Sequence, residues 1–389
     1  FAQEQIDDIE VIGISPLPGI EIDRNKVPNA SQSLKEIDMN NSTATTIVDL
    51  LGEKLTGVTI KDVQNSPFQK NLDYRGFTAA PLLGESQGLA VYLNGTRINE
   101  GFGDTLQWEL VPEAALTNID LMSANPVFGL NALGGSLALT TKKGLDYLNT
   151  DSSIENHFEV GGADWVNGNI ELGAGTETQG LYVAMENSYD GGWRDNSAGD
   201  VKRLFVNYGI LGDNFDYDFT FMNADSNLNG NGVSPTELLK VRRESVFTWP
   251  DFTSNKVYLA ASNANFYLED DSAINTSIYY RRLIRDTMNA DELDAEECAE
   301  DNETHAEQME DDFGTADEPI CGEADGDNYE VLIDQYGNAI SNNDAIRKYG
   351  LLNHSSTMTV TWGGSTQYNI NTNYLGKMHN IIVGASIDK

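Results

Sequence analysis

Positive charge is scarce in this chain: 24 lysines and arginines stand against 61 aspartates and glutamates, a formal net charge of −37 over 389 residues. Such a surface repels a phosphate backbone and argues against a nucleic-acid partner. Long apolar runs are missing as well. No segment approaches the ~18 consecutive apolar residues of a membrane-spanning helix, which excludes a helical membrane protein. A transmembrane barrel is not excluded, because its strands alternate and give a weak hydropathy signal. Cysteine is reduced to Cys298 and Cys321. Both lie in one acidic stretch, and in a secreted loop they fit a Cys298–Cys321 disulfide, worth on the order of 3 kcal/mol. Two free thiols are the alternative; a metal site would need more Cys or His ligands close by. The 4 histidines are far apart in sequence. No nucleotide-phosphate loop, nucleophile elbow or zinc-ligand spacing occurs, so nothing selects an enzyme. What is present is 40% hydrophobic residues, enough for a sizeable core, with 36 Gly and 16 Tyr that suit strands and turns.

Three regions follow from the pattern. Residues 1–30 read as a flexible leader, broken by Pro16, Pro18 and Pro28. Phe1-Ala2-Gln3 fits the trimmed end of a secretory signal. Inside the leader, Ile6 to Gly13 sets β-branched residues beside acids, a segment able to add as a strand to a partner's sheet edge. Residues 31–148 read as a mixed α/β domain. Asn41-Ser42-Thr43 precedes the apolar-periodic Ile47, Leu50, Leu51 and Leu55, a helix with its cap. Leu89 to Leu93 reads as a strand ending in the hairpin turn Asn94-Gly95, Pro112 to Leu116 as a short helix, and Ser136 to Thr141 as a strand.

From about residue 149 to 389, alternation takes over. Leu181, Val183 and Met185 face one way, and Tyr182, Ala184, Glu186 and Ser188 the other. Leu204, Val206, Tyr208 and Ile210 repeat this, as do Phe215, Tyr217, Phe219 and Phe221. Later come Ile274, Ile278 and Tyr280, then Met358, Val360 and Trp362, then Tyr368, Ile370 and Tyr374. Turns are short at Gly212-Asp213-Asn214, Gly363-Gly364-Ser365 and Gly376-Lys377, and the connections at the other end are long. Long loops at one end, short turns at the other and one apolar face predict an outer-membrane β-barrel rather than a soluble sandwich. About ten strands are counted, whereas a transporter barrel with a plugged lumen has about 22. Open edges do not survive in lipid, so the sequence is expected to be part of a longer receptor.

Several motifs resemble the TonB-dependent outer-membrane receptor family over nearly the whole chain. They include Val48-Asp49-Leu50-Leu51, Tyr74-Arg75-Gly76-Phe77, Val91 to Arg97, Asn125-Pro126-Val127-Phe128-Gly129, Leu133-Gly134-Gly135 and Thr140-Thr141-Lys142-Lys143. Pro81-Leu82-Leu83-Gly84, Phe102-Gly103-Asp104, Gly192-Trp193-Arg194-Asp195 and Val246 to Asp251 resemble its ferric dicitrate-type, iron-complex branch. Ser123-Ala124-Asn125 departs from the family's Arg-Gly before the proline, which removes the expectation of a charge pair between that plug arginine and barrel carboxylates. The resemblance implies an N-terminal mixed α/β plug inside an antiparallel transmembrane β-barrel, in the outer membrane of a Gram-negative bacterium. It makes Ile6, Asp7, Asp8, Ile9, Glu10, Val11 and Ile12 the TonB box, grasped from the periplasm by the TonB energy-coupling complex.

By the same resemblance the protein is no enzyme and needs no cofactor. It binds a scarce small-molecule nutrient, an iron chelate or siderophore, and imports it. Membrane lipid and lipopolysaccharide are its surroundings. The expected ligand contacts follow Phe77 and Asn99: Glu85, Gln87, Phe102, Gln107 and Trp108, aromatic surface with a few directed polar groups. Arg75 is expected to be buried and paired within the plug or with a barrel carboxylate, and Gly134 and Gly135 to be structural. The acidic loop, 286–350, reads as a solvated surface. Calcium is the metal its carboxylates leave open, although no defined ligand spacing occurs. Such a loop would slow anionic chelates in dilute buffer and hardly at all at high salt. A corrinoid or glycan substrate therefore stays open, as does a surface glycan-binding or adhesion barrel without transport.

Overall fold

The computed structural model describes residues 11–13, 21–23, 29–62, 64–124, 128–268, 272–291, 296–297, 320–325, 328–331, 333–334, 336–339 and 350–389. In the leader, β1 (Val11–Gly13) pairs antiparallel with β2 (Glu21–Asp23). Val11, Ile12 and Gly13, at the end of the segment expected to add to a partner's sheet, thus pair within the leader, and a two-stranded pairing of this size is marginal in water.

The plug begins with β3 (Ser31–Lys35), α1 (Glu36–Asn40) and α2 (Ile47–Lys54). The cap of α2 is Thr46, whose hydroxyl accepts from Asp49 N at 3.3 Å, three residues beyond the expected cap. The helix starts where its buried face starts, at Ile47, Val48, Leu50 and Leu51. There follow β4 (Val58–Asp62), β5 (Lys70–Tyr74), β6 (Phe77–Ala79), β7 (Leu89–Leu93) and β8 (Thr96–Arg97). The β7–β8 turn is Asn94-Gly95, both in the left-handed region as a tight hairpin requires. Glu113–Ala115 is one 3-10 turn rather than a helix, because β9 (Leu116–Ser123) takes over the chain at once. With β10 (Gly135–Thr141), the main plug sheet runs β3-β9-β10-β7-β8, and β4-β5-β6 form a second sheet.

The wall consists of β11 (Ser153–Val160), β12 (Val166–Gly175), β13 (Gln179–Asp190), β14 (Gly199–Leu211), β15 (Phe215–Asn229), β16 (Phe252–Tyr267) and β17 (Ala273–Asp291), with the short helix α3 (Thr236–Val241) before β16. Three short strands, β18 (Glu296–Glu297), β19 (Ile320–Asp325) and β20 (Asn328–Val331), pair with one another in the acidic loop. β21 (Leu351–Tyr374) and β22 (Lys377–Asp388) complete one antiparallel sheet of nine strands, ordered as in the sequence.

Two expectations change here. Gly363-Gly364-Ser365 is not a turn but the middle of β21, paired on both sides through Ser277 and Ser386, so two expected strands are one. The acidic loop starts after Asp291 rather than at 286, because Asp286 to Asp291 continue the ladder against Leu351 to Ser356. Cys298 lies outside the described residues.

The strands alternate as expected. Leu181, Met185, Phe219, Ile278 and Trp362 are exposed on the convex face, and Tyr182, Phe205, Met222, Val257 and Leu283 are buried on the concave face. The buried wall residues share one apolar cluster with the plug core, including Leu51, Leu72, Leu89, Trp108 and Leu121, so the plug is seated directly on the wall. Among the described residues no helix is long and apolar enough to cross a membrane. The strands present the apolar band instead. The turns 176–178, 212–214 and 375–376 mark one end, and the connections 191–198, 230–251 and 292–350 the other.

Candidate functional site

Beside the shared apolar cluster, a set of polar and ionic contacts ties the plug to the wall. Trp108 anchors the turn Trp108–Leu110, its indole N–H donating to Ala79 O at 3.0 Å. That turn and the next carry Glu109 and Glu113 to the concave face. There Arg203 of β14 donates from Nε to Glu109 O (2.6 Å), from Nη1 to Glu186 (2.7 Å) and from Nη2 to Glu113 (3.0 Å). Glu186 also accepts from Ala114 N. The Glu109 carboxylate accepts from Asn255 at 2.8 Å and Ser226 at 3.3 Å. Burial pushes Glu109 above the usual carboxylate range, and burial, only partly offset by Arg203 and joined by repulsion from Glu186, pushes Glu113 up to about 7.

On β17, Arg281 pairs with plug Glu100 at 2.5 Å, and Arg285 donates to Pro81 O at 2.8 Å and to Asn255 at 3.1 Å. Toward the short-turn end the polarity reverses. Plug Lys142 meets Glu171 of β12 at 2.7 Å, and plug Lys143 meets Asp218 of β15 at 3.1 Å. Gly144 N donates to Asn207 at 2.8 Å, and a Cβ on Gly144 would overlap the backbone of Gly180. Only glycine lets the plug's exit segment lie flat on the wall there. The wall thus offers arginines to the plug's upper carboxylates and carboxylates to its lower lysines. Barrel arginines facing plug glutamates is the inverse of the pair that the departure at Ser123-Ala124-Asn125 removes.

At the long-loop end, plug and wall enclose a cavity of about 180 Å³, lined by Leu83, Phe102 and Glu100 of the plug and by Arg285, Thr287 and Thr357 of the wall. Phe102 is 64% exposed, and Oε2 of the otherwise buried Glu100 has no hydrogen-bond partner among the described residues. Of the five expected ligand residues only Phe102 lines this cavity. Glu85 is exposed in the neighbouring turn. Gln87 folds that turn, accepting from Ala80 N at 3.1 Å. Gln107 is buried with its amide on Pro81 O at 3.1 Å, and Trp108 is core. These last three shape the apex rather than line the cavity. Leu83 lies within the stretch after Phe77 where contacts were expected, whereas Gln64, Arg285 and Thr287 were missed. Arg285 was within reach, since Ile278 and Tyr280 facing outward already turn the odd residues of β17 inward.

Arg75 is a correction. It sits exposed in the β5–β6 turn with φ +54°, over the ring of Tyr74 at 4.9 Å, and has no ion pair among the described residues. Gly134 and Gly135 do act structurally: a Cβ on Gly134 would overlap the Phe77 ring, and one on Gly135 would press on Met122 O. Ile6, Asp7, Asp8, Ile9 and Glu10 lie outside the described residues, and Val11 and Ile12 lie in β1. Among the described residues no cluster of carboxylates, His or Cys could hold a metal ion.

A plug of two small sheets, seated on the concave face of an antiparallel wall with an apolar outer band, defines a plugged outer-membrane barrel. Residues 23–136 match the family described as TonB-dependent Receptor Plug Domain, so the chain carries a plug domain of that family. Similar solved structures include the ferric citrate transporter FecA (14% identity, TM-score 0.64, 92% of this chain and 47% of that one). The ferric-catecholate import receptor Fiu of E. coli K12 is 12% identical, with TM-score 0.64 over 97% of this chain and 48% of that one. The ferripyoverdine receptor of Pseudomonas aeruginosa is 11% identical, with TM-score 0.66 over 97% and 44%. The chain therefore spans about half the length of these receptors. Among curated proteins no sequence matches it.

Proposed function

We propose that this chain is the plug and adjoining barrel wall of an active-transport receptor that binds an iron chelate at the cell surface and imports it across the outer membrane, driven by the TonB complex. The observation that carries this reading is the ionic seat of the plug. A plug that never moved would be held best by apolar packing, since buried ion pairs gain little over well-packed hydrophobic residues. A plug that must shift is served by groups such as Arg203, Glu113, Lys143 and Asp218, which water can solvate once they separate. The apical cavity supplies the ligand end, with Phe102 as its aromatic surface. The leader, with Ile6 to Ile12 as the box, supplies the pulling end. Its pairing in β1–β2, three residue pairs among the described residues, gives way to a partner's sheet edge. The similar structures are named as receptors or transporters of ferric citrate, ferric catecholates and ferripyoverdine, which favours an iron chelate as cargo.

The test is uptake of radio-iron chelates by iron-starved cells carrying the full receptor, with and without a proton uncoupler. Receptor-dependent accumulation that stops with the uncoupler is expected. Accumulation indifferent to the receptor or to the uncoupler contradicts the reading.

A further inference from the structure

The connections 191–198 and 230–251, at the long-loop end, are bound to each other. Arg194 ties them, donating to Gly232 O at 3.3 Å, Ser234 Oγ at 2.6 Å and Ser245 O at 2.8 Å. Asp195 N donates to Glu244 O at 2.9 Å, and Arg242 pairs with Asp195 at 2.5 Å. On this unit stands Trp193, and two guanidinium groups lie over its indole: Arg194 at 5.6 Å from the ring centre and Arg243 at 5.0 Å. Arg194 is committed to backbone and serine oxygens. Arg243 is exposed, and among the described residues it has no hydrogen bond or ion pair. Lys240, on α3, is equally free and exposed. Phe247 and Trp249 of the same connection are 51% and 57% exposed.

This is an unusual patch for a chain of charge −37. Two like charges crowd one ring, a repulsion that an anion relieves. The Arg243 guanidinium lies over the indole at 5.0 Å, and its fork of donors has no partner among the described residues, which leaves it free for a pair of anionic oxygens. The exposed rings beside it offer flat apolar surface to the rest of such a ligand. The unit also touches the plug. Trp193 donates to Asn65 Oδ1 at 3.3 Å and Asn231 N donates to Gln64 O at 2.8 Å, and Gln64 lines the apical cavity.

We infer that Arg243, held on Trp193 and flanked by Lys240, is a recognition site for the carboxylate or catecholate edge of an anionic metal chelate, placed to receive it at the long-loop end and pass it to the apex. The inference rests on the receptor reading above and adds the charge class of the cargo. The connections 191–198 and 230–251 balance four basic residues against four acidic ones, so this end adds no net negative charge for an anionic ligand to meet.

The experiment measures binding to the purified full receptor by tryptophan fluorescence, with ferric citrate, a ferric tricatecholate and a neutral ferric trihydroxamate as probes. One or both anionic chelates should bind wild type more tightly than the neutral one. Arg243→Ala should weaken that binding by about tenfold to a hundredfold, the worth of a charge-assisted bidentate contact, and leave the neutral probe unchanged. Arg243→Lys should recover only part, since lysine keeps the charge and lacks the fork. Unchanged anion affinity in Arg243→Ala, or a wild type that binds neither anionic chelate, overturns the inference. Uptake that still depends on residues 6–12 in that case leaves the receptor reading standing. Anion binding lost in Arg243→Ala but uptake indifferent to residues 6–12 supports the site and contradicts transport.

Discussion

Arg203 joins the carboxylates of Glu186 on the wall and Glu113 on the plug and donates to the main-chain carbonyl of Glu109, and its side chain is almost wholly buried. Removing Arg203 takes a nearby opposite charge from two buried or half-buried carboxylates. Arg203→Met should therefore lower the receptor's stability by roughly 3–5 kcal/mol, read as an earlier thermal transition. Replacing Glu113 and Glu186 by leucine in the same protein should recover most of that loss; no recovery would show that the arginine acts by packing alone. Glu113 adds a pH dependence. Its carboxyl, pushed up to about 7, keeps its proton in the seated plug at a pH where an unfolded chain has already lost it near 4.5. Seating is thus favoured by protonation, and the contribution of this group falls as pH rises from about 4.5 to about 7. Thermal scans across that range should show the decline, and Glu113→Gln should flatten it. The inward position of Arg203 follows from the outward run Leu204, Val206, Tyr208 and Ile210, so its burial was legible in the sequence. Its partners were not, because Glu109 and Glu113 are brought to it by a fold contact across the plug–wall interface. Arg75 shows the reverse error: a motif arginine was expected to be buried and is an exposed turn residue.

At the scale of the element, period-two alternation was the strongest signal, because a strand between lipid and plug must separate two surfaces residue by residue. It failed where glycine interrupts it. Gly363 and Gly364 read as a turn, yet the ladder runs straight through them. A Cβ on Gly363 would meet Ile387 O at 2.7 Å and the ring of Tyr279 at 2.7 Å, so the glycine serves close packing. The plug's exit segment depends on the same economy of space. Gly144→Val should displace it from Gly180 and Gly209, and limited proteolysis should then cut near residues 142–150 faster than in wild type. Equal cutting rates would mean that the contact is not needed to seat the plug. The α2 cap lay three residues from its expected place because the polar stretch before Ile47 contains several residues able to cap, and only burial of the helix face decides among them.

For the whole molecule, the order of leader, plug and wall was readable from composition and motif. The substrate was not, because loop geometry and not loop composition decides which charges face a ligand. The charge is arranged rather than merely negative: wall arginines face plug glutamates above, wall carboxylates face plug lysines below, and Arg194 and Arg243 lie over Trp193 at the long-loop end. Such a seat holds the plug firmly at rest and lets water take over its charges when a force is applied. On the proposed transport reading, pulling on the leader is the step that this seat serves. The most direct measurement compares full receptor with and without residues 6–12 in the same energised cells, scoring chelate binding at the surface and radio-iron inside. Binding retained with uptake lost is the predicted result. Uptake at the wild-type rate without those residues would contradict the account.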